Sequence, residues 1–117
     1  MENASLEAVA REQLDLAHHA PSGRSSHVVY GGKGHALRQV LIALAAGQML
    51  AEHDNPGEAT VQVLHGHVRL AAGETSWDGS PGDLLIVPGS RHTLEALKDA
   101  AVLLTVVPST RDKNRRD

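Results

Sequence analysis

GQMLAEHDNPGEATVQVLHG, running from Gly47 to Gly66, decides how the chain is read. A turn glycine, Gly47, opens it. A short run, 49–53, leads into the polar turn Asp54-Asn55-Pro56-Gly57-Glu58. Residues 60–64, TVQVL, are rich in β-branched and aliphatic side chains and predict a strand closed by His65-Gly66. The pattern of short strand, polar turn, short strand continues on both sides. Strands are expected at 27–30, 37–46, 68–71, 75–77, 84–87, 92–97 and 101–107. Gly, Pro, Asn and Asp separate most of them at short spacing, which indicates an antiparallel all-β sandwich or barrel. His65-Gly66-His67 joins two such runs and suits a hairpin.

Only the N-terminal part departs from this pattern. Residues 5–19 carry Leu6, Val9, Gln13 and Leu16 at helical spacing, with Ser5 as N-cap and Glu7 in the first turn. His18 and His19 fall in the last turn. Adjacent helical side chains diverge, so these two are read as surface residues rather than a metal pair. The expected organisation is a helix and linker over 1–24, one β-domain over 25–109 and a basic, solvated tail over 110–117.

Composition narrows the function classes. The chain has 117 residues, enough for one core, and a net charge of -3. Its aromatic side chains are Tyr30 and Trp77 with no Phe, so Val, Leu, Ile and Ala must build the core, with Trp77 read as core packing. Two aromatics and a negative charge argue against a nucleic-acid surface. No cysteine is present, which excludes thiolate chemistry and fits a reducing cytoplasm. The longest apolar run, 40–46, is too short to span a membrane, and no signal peptide is visible. A cytoplasmic, non-membrane protein is expected.

Eight histidines are the chemistry in view. His53 ends a strand and begins the polar turn. His92 lies thirty-nine residues further on, in the segment GDLLIVPGSRHTL that starts at Gly82. Period-two alternation places His92 on one face with Leu94 and Ala96, and His53 on one face with Ala51 and Met49.

The two segments resemble the two sequence motifs of the cupin family. In the first motif, Gly47, His53 and Gly66 match, while Asn55 stands for the second His and Ala59 for the Glu. Glu58 is one residue away, on the opposite face if the strand is regular. In the second, Gly82 and Pro88 match, and His92 arrives one residue early. The resemblance implies an antiparallel, jelly-roll-like cupin β-barrel with one N-terminal helix. It implies a homodimer, and a divalent transition metal (Fe, Mn, Ni, Cu or Zn) on His53, His92 and Asn55, with Glu58 and His35 as further pocket residues. Two readings stay open. One is a cupin that binds a metal ion, a small organic ligand or both in the barrel mouth. The other is a metal-dependent, dioxygenase-like or isomerase-like enzyme acting on a small organic molecule. Without a metal, His53 and His92 would be a neutral pair hydrogen-bonded to backbone or water.

Overall fold

The computed structural model describes residues 3–53 and 57–108, with 51–53 by their backbone. The basic tail over 110–117 lies outside the described residues. Helix α1 (Leu6–His19) begins where Ser5 caps it: the Ser5 hydroxyl accepts from the Ala8 N–H at 3.2 Å. Nine strands follow among the described residues: β1 (Arg24–Gly31), β2 (Arg38–Leu44), β3 (Met49–His53), β4 (Gly57–His65), β5 (Val68–Ala72), β6 (Thr75–Gly79), β7 (Leu84–Ile86), β8 (His92–Ala96) and β9 (Ala100–Pro108). No helix among the described residues is long and apolar enough to cross a membrane.

All strand pairings are antiparallel, and they form two sheets. The first runs β1-β2-β9-β4-β7 and the second β3-β8-β5-β6. The closed β-barrel expected from the sequence is therefore corrected to a two-sheet sandwich. No ladder among the described residues joins β1 to β3 or β6 to β7. On one side, β7 is three residues long and stops just before Pro88, which has no N–H to extend a ladder. On the other, the β3–β8 register breaks between Leu50 and His53, and β1 carries a bulge between Val28 and Tyr30.

The local connections also differ from the expectation at one corner. His65-Gly66-His67 is not a hairpin, because β4 lies in one sheet and β5 in the other. Gly66 makes this crossing with φ 78°, packed on the carbonyl of Asp99. A Cβ there would sit 2.0 Å from that oxygen. The neighbouring corners are tied together as well. The Ala46 N–H donates to Asp99 Oδ1 at 2.8 Å, and the Gly47 N–H to the Ala96 carbonyl at 2.8 Å.

Register sorts the side chains of the five-stranded sheet into rows. Arg38, Val106 and Ala59 form one inward row; Val40, Leu104 and Val61 the next; Ile42, Val102 and Val63 the third. These rows meet Val68, Leu70, Leu94 and Ala96 of the second sheet in the main core. The alternate face of β2 and β9 carries Leu41 and Ala101, both fully buried, because α1 lies over them. Ala10 is the helix residue in this contact, with Leu6, Val9 and Leu14 around it. The small side chains of Ala10 and Ala101 let the helix approach the sheet closely. Buried Gln13 is satisfied by the Ser25 hydroxyl, which donates to its Oε1. The apolar outer face of these long strands thus has its cover from within the chain.

Two glycine substitutions test the corner. Gly73 also has positive φ, but nothing lies within 4 Å of its would-be Cβ. Gly73→Ala should cost only the left-handed backbone penalty, about 1–2 kcal/mol. Gly66→Ala adds a collision with backbone and should lower the urea midpoint clearly further. Equal midpoints for the two variants would contradict the packing of Gly66 on Asp99.

Candidate functional site

Between the sheets, at the end where β8 begins, lies a cavity of about 70 Å³. The five-stranded sheet supplies Ile42, Ala59, Val61, Val102, Leu104 and Val106. The second sheet supplies Leu50, Leu70, His92 and Leu94, and Val87 closes the wall after β7. Among the described residues, hydrocarbon therefore surrounds a single imidazole. The space matches the inward rows described above: it is what β-branched and small side chains, with no Phe, leave between two sheets.

His92 is 6 % exposed and stands on β8 with Leu94 and Ala96, as the alternation predicts. Its Nδ1 lies 2.9 Å from the Ser90 carbonyl. A carbonyl can only accept, so Nδ1 carries the proton that it donates. The tight Gly89-Ser90-Arg91 approach to β8 thus fixes both the position and the tautomer of the ring.

The other sequence candidates are placed as follows. His53 is the backbone register partner of His92 across β3 and β8. Asn55 lies outside the described residues. Ala59 is buried and lines the cavity, while Glu58 is exposed and stands opposite Val107. His35 is exposed in the turn after β1, where its ring meets Tyr30 edge-on at 5.3 Å. Neither Glu58 nor His35 lines the cavity. Trp77, expected in the core, is half-exposed at the open side between β6 and β7, beside Leu84 and Ile86.

The expectation of a metal-binding site is corrected here. Among the described residues no group of three or more His, Asp or Glu could hold a metal ion. The wall where the resemblance places a carboxylate is the methyl group of Ala59. A divalent ion needs about four to six donors, and the described lining offers one imidazole in hydrocarbon. The described donors alone do not fit the ion.

Sequence reasoning missed a second feature. Beside the cavity lies a groove of about 370 Å³ that shares Ile42, Leu50, Leu104 and Val106 with it. Arg24, Ser25, Ser26, Arg38 and Val40 complete its lining. The signal was present: Arg38 has the same parity as Val40, Ile42 and Leu44, so it belongs to the inward face. The ion pair with the clearest geometry lies elsewhere, on the outer face of the second sheet. There Arg69 Nε donates to Asp78 Oδ1 at 2.8 Å and Nη2 to Oδ2 at 3.1 Å. Hydrogen bonding to Arg69 holds the Asp78 carboxyl below its ordinary value. Both groups are solvated, so the pair adds little to stability.

No family model matches this sequence, and no curated protein matches it either. Solved structures do. A protein of Thermus thermophilus is 26% identical, with a TM-score of 0.72 over 92% of this chain and 98% of that one. An RmlC-like cupin protein of Desulfovibrio desulfuricans is 26% identical, with a TM-score of 0.63 over 73% and 82%. A cupin superfamily protein of Desulfitobacterium hafniense is 18% identical, with a TM-score of 0.67 over 74% and 78%. The chain has a cupin-type, single-domain fold.

Two measurements check the reading of the site. Tag-free protein dialysed without chelator should carry far less than stoichiometric metal by elemental analysis; a stoichiometric content would contradict the donor count. His92→Leu should change stability by less than about 1.5 kcal/mol, because its walls are apolar and the exposed Ser90 carbonyl can turn to water. His92→Asp should cost clearly more, since it puts a carboxylate in the same walls.

Proposed function

We propose that this protein binds a small organic molecule between its two sheets. The apolar part of the ligand enters the inner cavity, and His92 supplies the polar contact that orients it. The observation behind this reading is the apolar cavity with one imidazole among its described walls, beside a larger groove that shares four of its lining residues. Binding sites for small molecules have this make-up: mostly hydrocarbon walls, few polar groups, each held in place. A water needs roughly 10–15 Å³ of such space, so the inner cavity suits a group of about five heavy atoms. The groove takes the remainder. Cupin-type proteins with ligand clefts give the fold-level context, which by itself names no ligand.

Hexan-1-ol is a suitable first probe, because it has a short apolar chain and one hydroxyl to meet the imidazole. Titration followed by amide NMR should shift the signals of Leu50, Leu94 and Leu104. Ala59→Leu should fill the cavity, leave the protein folded or slightly more stable, and abolish those shifts. Unmoved signals at millimolar alcohol would remove the proposal.

A further inference from the structure

The groove outside the cavity has a charge pattern of its own. Arg24 and Arg38 line it, with Ser25 and Ser26, and no Asp or Glu does among the described residues. Neither arginine forms an ion pair with a described residue. The chain as a whole carries a net charge of -3, so this rim is positive against an acidic background. Guanidinium groups facing a water-filled groove are suited to bind carboxylate or another oxyanion through paired hydrogen bonds.

The two arginines are not equivalent. Arg24 is the register partner of Leu44, six positions along β2 from Arg38, which is about 20 Å at ~3.4 Å per residue. One small ligand cannot bridge them. Arg38 stands in the row with Val106 and Ala59, and both of these line the inner cavity. With strands ~4.8 Å apart, its backbone is roughly 10 Å across the sheet from Ala59. Arg24 lies at the opposite end of the groove, beside the row of Leu44 and Ala100.

We propose that the ligand is an organic anion: its apolar part occupies the cavity beside His92 and its anionic group is held at the mouth by Arg38. This rests on the binding-cavity reading above. Arg24 contributes only long-range attraction, which salt screens. His92 lies inside the apolar cavity and Arg38 at its mouth, so selection for charge resides in Arg38.

Hexanoate, hexan-1-ol and hexylamine share one chain length and differ in charge. Isothermal titration should show hexanoate binding at least about tenfold more tightly than the alcohol, with the amine weakest. Arg38→Gln should bring hexanoate down to the level of the alcohol and leave the alcohol unchanged. Arg24→Gln should change hexanoate affinity by less than about twofold at moderate salt. Arg38→Lys should restore part of the preference. Equal affinities of hexanoate and hexan-1-ol for the wild-type chain overturn the proposal and leave the apolar cavity standing. An effect of Arg24→Gln as large as that of Arg38→Gln also overturns it. Binding of none of the three probes overturns both readings together.

Discussion

The unbroken antiparallel pairing of β2 with β9, from Arg38 opposite Val106 to Leu44 opposite Ala100, is the constraint on which the other features rest. It sets which residues face the second sheet and which face α1. A slip of one residue on either strand would exchange its two faces. Leu41 and Ala43 would then turn into the cleft, and Val40 and Ile42 would lie under the helix. Both faces are buried, so such a slip has no compensating solvent exposure. It would replace the small contact of Ala10 with Ala101 by larger side chains. The cavity, the rim arginine and the helix seat are all consequences of one register.

Much of this was legible in the residues themselves. The cap at Ser5, the helix, most strand positions and the inward orientation of His92 follow from periodicities of 3.6 and 2. Closure was not legible. Whether nine strands form a barrel or a sandwich depends on ladders between strands far apart in the chain, and on the shortness of β7 before Pro88. The reading of His65-Gly66-His67 as a hairpin failed for the same reason. A glycine between two strand-like runs signals a sharp turn, yet it does not say whether the chain turns within a sheet or between sheets. The site was half legible. The resemblance to cupin motifs pointed to His92, which lines the cavity, but Arg38 lay outside any motif and needed the register to be seen.

Ala59 illustrates how a fold can keep its shape and change the chemistry it hosts. The methyl group occupies an inward position on β4 without disturbing the ladder to Val106. Glu58, its neighbour, keeps a carboxylate in the sequence but presents it to solvent. Among the described residues, the cleft has hydrocarbon walls, with polarity at the His92 ring and at the mouth. Among the described residues, that distribution leaves a divalent cation without the anionic donors that would offset its desolvation.

The path of the chain also bears on when the structure can form. Only β1–β2 and β5–β6 are local hairpins. Every other connection passes from one sheet to the other, and β9 lies between β2 and β4. During synthesis, the earlier strands of the five-stranded sheet must wait for β9 before they acquire their central neighbour. The seat of α1 is incomplete until Ala101 arrives. The two hairpins can pair early, but the five-stranded sheet closes only once β9 is available, so its assembly depends on contacts distant in sequence.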